Sequence, residues 1–235
     1  MATVVGVRFR NMGKLYYFDP GQIEVNAGDG VIVDTAKYHY LAWKRLADEI
    51  GLRFSIQDNE LLKGVSRIRS FEIILERNGK EMREEDIERF CARKNGYYVD
   101  YISRITPDEI LPGVEAFLQD AKKAGMKIAL GSASKNASVI LERTGVGSYF
   151  DAVIDGTKVS RAKPHPEVFL KGAEALLLQP EECVVFEDAV AGIVAAHNGG
   201  MKAVGVGNSE LKDLCDCFIA SFNDLTASVI VKKIA

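Results

Sequence analysis

Cysteine is scarce in this chain: Cys91, Cys183, Cys215 and Cys217 are the four among 235 residues. Only Cys215 and Cys217 stand close together, and an isolated C-x-C is a weak metal motif. The set therefore reads as reduced structural thiols rather than a disulfide framework. Long apolar runs are missing, so no segment is expected to span a bilayer as a helix. The opening stretch MATVVGVRFR lacks the layout of a secretion signal, and the expected compartment is the cytoplasm. An excess of either charge is also missing: 30 basic residues face 33 acidic ones, for a formal net charge of −3. That balance gives no general electrostatic reason to bind nucleic acid or an anionic membrane. Repeats and low-complexity tracts are absent as well. What is present is the composition of an ordinary globular protein, 47% hydrophobic and 27% charged. Its length suits one sizeable core and an accessory domain.

Three zones divide the chain. Residues 1–33 carry strand-like runs, TVVGVRF, KLYYF and QIEV, separated by the turn chemistry of RNMG and DPG. Residues 34–105 are charged and helical in pattern. In TAKYHYLAWKRLADEIG, Tyr38, Leu41, Ala42, Leu46 and Ile50 fall at helical spacing, with Asp34 or Thr35 as N-cap and Gly51 as the stop. IRSFEIILERNG and REEDIERFCARKNGYYVDYISRI continue as amphipathic helices, which predicts an all-helical cap. Over residues 106–235, short apolar runs such as KIALGSAS, FDAVIDG, CVVFEDAV and KAVGVG alternate with helices. The alternation predicts an α/β core, a parallel sheet covered on both faces, with a further strand near residues 23–33. QIEV fits such a strand poorly. Gln22 and Glu24 alternate with Ile23 and Val25, and a carboxylate inside a two-sided sheet is costly unless paired.

Sheets of this kind bind ligands at the carboxyl ends of their strands. Four polar clusters follow strand-like runs: Asp29-Gly30 with Asp34-Thr35, Ser132 to Asn136, Lys163-Pro164, and Glu187-Asp188. Ser134 or Asn136 alone can be a helix cap, and Lys163 alone a solvated loop lysine. Glu187 and Asp188 are less ordinary, because two carboxylates after a buried strand repel each other unless a cation or a donor lies between them. Mg²⁺ takes oxygen ligands, commonly one or two carboxylates with water and phosphate. A serine, a lysine and backbone N–H groups at a helix start suit a phosphate. A divalent cation beside an anion cradle is the equipment of phosphoryl transfer, in which charge stabilisation does most of the catalysis.

With those residues in view, the chain from about Gly28 onward resembles the β-phosphoglucomutases of the haloacid dehalogenase superfamily. The matching stretches are DGVIVDTAKYHYLAWKRLADEIG, LLKGVSRIRS, LPGVEAFL, KIALGSASKN, YFDAVIDG, AKPHPEVF, FEDAVAGIVAA and AVGVG, in the family's order. The resemblance implies a Rossmann-like parallel-sheet core of the haloacid dehalogenase type with an inserted helical cap domain. It implies a Mg²⁺-dependent shuttle between β-glucose 1-phosphate and glucose 6-phosphate, through a phosphorylated aspartate and a bisphosphate, by a monomer. By position, Asp29 resembles the general acid/base, whose carbonyl also serves the metal, and Glu187 and Asp188 resemble two metal ligands. Ser132, Ala133 and Lys163 resemble the cradle of the transferring phosphoryl group. Arg67 resembles the clamp on the distal phosphate, with Ser134, Lys135 and Asn136 at the same end of the ligand. Thr35, His39, Trp43, Lys63, Gly64, Val65 and Ser66 resemble the substrate-facing lining and hinge side of the cap. By spacing alone, His39 and Trp43 share a helix face and describe core packing.

The match fails at one position. Relatives carry D-x-D-G, whose first aspartate attacks phosphorus, whereas this chain has Ala27-Gly28-Asp29-Gly30. A methyl group has no lone pair, so no aspartyl-phosphate can form at Ala27, and one metal ligand is lost with it. Impaired turnover is the expectation, with a catalytically silent sugar-phosphate and Mg²⁺ binder, or a sugar-phosphate phosphatase, as the other readings. Residues 1–33 resemble the opening of polymerase-suppressor-like bacterial proteins, which share a YYFDPG…GDxVIV-T pattern. A join of two coding sequences within GDGVIVDTA accounts for both likenesses. FDPG at Phe18–Gly21 imitates the family's FDLDG, but Gly21 then falls where the second aspartate belongs, and the segment after it loses register with the cap. Asp19 is on that ground not expected to be the nucleophile.

Overall fold

Six parallel strands form the sheet of the computed structural model, which describes residues 15–19, 31–33, 35–62, 67–132 and 134–234. They are β1 (Leu15–Asp19), β2 (Ile128–Gly131), β3 (Ala152–Ile154), β4 (Cys183–Glu187), β5 (Lys202–Val206) and β6 (Cys217–Ile219). Their order is β3-β2-β1-β4-β5-β6, so the first strand in sequence lies between β2 and β4. Sequence explains the choice of strand. LYYFD is an aromatic and apolar run of the kind a two-sided parallel sheet needs, whereas QIEV alternates with polar residues. The strand expected near residues 23–33 falls largely on residues 20–30, which lie outside the described residues; Val31, Ile32 and Val33 are buried, and Val33 forms an isolated antiparallel bridge with Ile110.

Alternation along the strands builds two cores. Val184, Phe186, Val204 and Val206 pack with Phe117 of α5 (Val114–Lys123) and with Ile230 of α9 (Ala227–Ile234) on one face. Cys183, Val185 and Ala203 pack with Phe169 of α7 (Glu167–Ala175) and Ile193 of α8 (Val190–Asn198) on the other. Successive side chains of a strand point to opposite faces, and helices on both faces bury every position of β2 and β4. The fifth core helix, α6 (Ala137–Thr144), follows β2.

Between the buried Val31–Val33 segment and the 3₁₀ turn Pro107–Glu109 the chain leaves the sheet and forms the cap, α1 (Ala36–Glu49), α2 (Ile56–Glu60), α3 (Arg67–Arg77) and α4 (Glu84–Ile102). Thr35 is the N-cap residue of α1, as its sequence signal allowed, but its side chain makes no capping bond. Ser55 closes a capping box with Asp58 at the start of α2. Trp43, Leu46, Phe54, Phe71 and Ile74 make a separate hydrophobic centre for the cap. The two crossings between cap and core are tied to each other: Val33 bridges Ile110 antiparallel, and the Leu111 N–H donates to the Ile32 carbonyl at 2.8 Å. Beside that tie, the Tyr38 hydroxyl and the Lys37 ammonium both donate to Glu109, at 2.5 and 2.7 Å. Burial and the Glu109 carboxylate push the Tyr38 phenol up to about 12.

Gly113 shows how tightly the exit crossing is packed. Its φ is +82°, and a Cβ there would lie 2.4 Å from the backbone carbon and oxygen of Phe222. Neither the left-handed backbone nor the rigid neighbour can yield cheaply. Gly113→Ala is expected to cost about 3 kcal/mol of stability, read from urea unfolding midpoints. A loss below about 1 kcal/mol would mean that the Phe222 segment moves aside freely.

Candidate active site

The carboxyl ends of β1, β2 and β4 lie side by side, with Ser132 following β2 and the Glu187-Asp188 pair at the end of β4. β4 ends in Glu187, fully buried, and Asp188 follows it with 7% of its surface exposed. The Lys163 ammonium, carried in on the connection between β3 and α7, donates to Glu187 Oε1 at 2.5 Å and lies 4.8 Å over the Phe169 ring. Burial raises the Glu187 carboxyl to about 7 against the opposing pull of Lys163, and burial together with the Glu187 charge raises Asp188 to about 7. Burial also lowers the Lys163 ammonium, against the pull of both carboxylates. The second oxygen of Glu187, Oε2, is buried and accepts no hydrogen bond from the described residues. A buried carboxylate oxygen without a donor is costly, and it is relieved by a cation. Among the described residues no third Asp, Glu, His or Cys side chain joins the pair as a metal cluster. Two carboxylates still fit Mg²⁺, which keeps waters and phosphate oxygens as its other ligands.

Ser132 follows β2, fully buried, with its N–H on the Ile154 carbonyl at 2.6 Å and its hydroxyl accepting the Ser134 N–H at 3.1 Å. Ser134 in turn accepts the Asn136 N–H at 3.0 Å, so the stretch after β2 is held as two consecutive side-chain turns. The Asn136 amide donates to Asn95 of α4 at 3.2 Å, a polar link from core to cap. Lys135 is exposed.

In the cap, Thr35 is buried beside the crossing, and Arg67 is exposed at the first position of α3. Trp43 is buried inside the cap, stacked on Phe71 with ring centres 5.8 Å apart. His39 stacks on Tyr98 at 4.0 Å, and its Nδ1 lies 2.7 Å from the ammonium of Lys94. Lys94 is 2% exposed, with its nitrogen 4.8 Å from the Trp43 ring centre and 5.1 Å from that of Tyr98. Burial holds both His39 and Lys94 well below their ordinary values. The sequence reading missed Lys94. A signal for it existed, since Lys94 falls on the buried stripe Cys91, Tyr98 and Ile102 of α4, where a lysine is out of character.

Ala27, Asp29, Lys63, Gly64, Val65, Ser66 and Ala133 lie outside the described residues. Asp19, set aside on sequence grounds, is the last residue of the central strand, in register with Glu187. All four cysteines are free thiols, and burial raises Cys91 to about 11. Among the described residues no helix is long and apolar enough to cross a membrane.

The chain is similar to characterised proteins over most of its length. The model of the haloacid dehalogenase-like hydrolases matches residues 29–200. A β-phosphoglucomutase of Bacillus subtilis is 41% identical over 86% of this chain and 90% of its own length. The fructose-1-phosphate phosphatase YqaB of Escherichia coli is 34% identical over 76% of this chain and 92% of that protein. The crystal structure of a β-phosphoglucomutase from Clostridium difficile superposes with a TM-score of 0.81 at 44% identity, covering 88% of this chain and 93% of that one.

Proposed function

The chain belongs to the haloacid dehalogenase-like hydrolase family, and on that premise we propose that its site serves Mg²⁺-dependent phosphoryl transfer on a small sugar phosphate, with β-glucose 1-phosphate and glucose 6-phosphate as the interconverted pair and turnover impaired by the alanine at position 27. The observation that carries this reading is the buried Glu187-Asp188 pair facing Lys163, with Glu187 Oε2 accepting no hydrogen bond from the described residues. Glu187 and Asp188, with the backbone carbonyl of Asp29, would hold Mg²⁺, which when bound neutralises phosphate charge.

Each residue has a physical task in this reading. Lys163 is an ammonium fixed next to the metal-binding carboxylates, able to offset the charge that builds on a transferring phosphoryl group. Ser132, with Ala133, offers a hydroxyl and backbone N–H groups at the end of β2, the chemistry of a phosphate cradle. Arg67 clamps the distal phosphate with a bidentate guanidinium, and Ser134, Lys135 and Asn136 serve that end of the ligand. Thr35, His39, Trp43 and the stretch Lys63–Ser66 shape the cap side of the pocket, while Asp29 moves the proton at the sugar hydroxyl.

The reading is tested by calorimetric titration of β-glucose 1,6-bisphosphate into the full-length protein, with and without Mg²⁺, and into Lys163→Met. Binding is expected in Mg²⁺ and is expected to weaken at least about tenfold, 1.4 kcal/mol, when Mg²⁺ or the Lys163 ammonium is removed. Equal affinity under all three conditions would sink the proposal. The likeness to a fructose-1-phosphate phosphatase favours hydrolysis as the second reading. Release of inorganic phosphate in place of glucose 6-phosphate would select it, and binding without either product would select the silent binder.

A further inference from the structure

Lys163 reaches the carboxylate pair from a segment with no regular structure of its own. The connection runs from β3, which ends at Ile154, to α7, which starts at Glu167, and holds no named helix or strand. Its ammonium is nevertheless fixed 2.5 Å from Glu187 Oε1, and the Lys163 side chain is 9% exposed. A lysine stem is flexible, and loops are the mobile part of a fold, so the backbone beneath the lysine needs a tether. Glu167 supplies one. Its Oε2 accepts the Ser160 N–H at 3.0 Å, the Ser160 hydroxyl at 3.0 Å and the Arg161 N–H at 2.7 Å. Its Oε1 takes the ammonium of Lys171, one turn further along α7, at 2.8 Å, and that ammonium also donates to the Lys158 carbonyl at 2.5 Å.

We propose that Glu167 is the positioning residue of the Lys163 ammonium: by gathering the Ser160 and Arg161 donors it fixes the loop that carries that ammonium to Glu187. The inference rests on the reading of this site as one that holds Mg²⁺ and a phosphorylated ligand. An acid in the first turn of a helix ordinarily serves the helix dipole and faces water. Glu167 instead turns back on the chain before it, with a side chain only 15% exposed. The Lys171 ammonium, and after it the Arg161 and Ser160 donors, hold its carboxyl down to about 2 against the effect of burial. Its bonds to the loop are thus bonds to a charged acceptor, which are the stronger kind. Phe169, two residues after Glu167, lies with its ring centre 4.8 Å from the Lys163 nitrogen. The first turn of α7 therefore supplies both the staple for the loop and the surface on which the lysine rests. Beyond the lysine, the Asn198 amide donates to the Pro164 carbonyl at 3.2 Å, so the backbone is pinned on both sides of Lys163.

The test is a labelling experiment on the full-length protein without ligand. The unaltered chain and Glu167→Ala are treated briefly with acetic anhydride, and peptide mass mapping compares acetylation at Lys163 with that at Lys94, which is 2% exposed in the cap. Lys163 is expected to label at least about tenfold faster in Glu167→Ala while Lys94 stays protected, because labelling follows local opening. Glu167→Gln keeps an oxygen for the Ser160 and Arg161 N–H groups and should lie nearer the unaltered chain than Glu167→Ala does; the opposite order overturns the inference. So does unchanged protection of Lys163 in Glu167→Ala, or a rise shared equally by Lys94. A double-mutant cycle adds a readout that a general loss of stability would not move. In Mg²⁺, Glu167→Ala should weaken β-glucose 1,6-bisphosphate binding about tenfold when Lys163 is present and no further in Lys163→Met. Equal weakening in both backgrounds also overturns it. Because labelling needs no ligand, the two readings fail separately. Faster labelling of Lys163 in Glu167→Ala, with no bisphosphate bound by the unaltered protein, retains the positioning role and discards the sugar phosphate. Mg²⁺-dependent bisphosphate binding, with Lys163 equally protected in both chains, does the reverse.

Discussion

In Mg²⁺-free solution the folded protein is expected to lose stability as the pH rises from about 5 to about 8, and Mg²⁺ is expected to restore it. Glu187 and Asp188 both titrate near 7 in the folded chain, against ordinary values of 4.5 and 3.8. A carboxyl raised by folding holds its proton in the native state through a window in which the unfolded chain has already released it. Stability from such a group is fully present below the unfolded value and is lost as the pH passes through the folded one. The shifts correspond to about 3–4 kcal/mol each, and the two are not to be added, because the carboxylates titrate as a coupled pair beside Lys163. Above pH 7 the native state must hold two ionised carboxylates side by side in a buried site, with the Lys163 ammonium bonded to Glu187. Mg²⁺ binds the ionised form and expels protons. Its effect on the thermal midpoint should therefore be small at about pH 5.5 and large at about pH 8, where a cation at 100 times its dissociation constant contributes about 2.7 kcal/mol. Thermal unfolding at the two pH values, with Mg²⁺ or with a chelator, reads both halves of the expectation. A Mg²⁺ gain equal at both pH values would mean that the cation binds somewhere other than this pair.

How much of this was legible in the residues alone divides along a physical line. β2, β4 and β5 were readable because a strand buried on both faces must be continuously apolar, and IALG, CVVF and AVGV are. Glu187 and Asp188 were readable because two adjacent acids have no ordinary reason to follow such a strand. Lys94 was hidden because a lysine inside an otherwise charged helix looks solvated, and only the packing of Trp43 and Tyr98 around its nitrogen reveals otherwise. The place of LYYFD between β2 and β4 was hidden for a different reason. Sequence matching is local, whereas a strand's place in a sheet is set by pairing, here with β2 and β4, partners more than a hundred residues away in the chain. Residues 15–19 had the better strand composition throughout, and QIEV the worse. Composition and pairing agree with each other for residues 15–19.

Gly192→Ala is expected to disturb the carboxylate pair as severely as any single methyl group can. A Cβ at Gly192 would fall 1.8 Å from Glu187 Cδ and Oε1 and 2.3 Å from Oε2. Gly192 lies in the first turn of α8, so the missing side chain there is what lets the Glu187 carboxylate lie against the start of that helix. The helix N-terminus carries partial positive charge and favours an anion beside it. Glu187 is fully buried and bonded to Lys163, so it has no empty space to retreat into, and moving it breaks the ion pair. A destabilisation at the upper end of the usual 1–3 kcal/mol for overpacking follows, about 3 kcal/mol, with loss of the Mg²⁺-dependent rise in thermal midpoint. The damage comes from one collision, and a double-mutant cycle can isolate it. Glu187→Ala alone removes the carboxylate that pairs with Lys163 and is itself destabilising, but it removes the group that the new methyl would strike. In the Gly192→Ala, Glu187→Ala double variant the two losses should fall short of their sum by roughly 1–3 kcal/mol, measured by urea unfolding. Simple additivity would mean that α8 shifts to admit the methyl. The packing of Gly192 against Glu187 would then not be what fixes the carboxylate in the site.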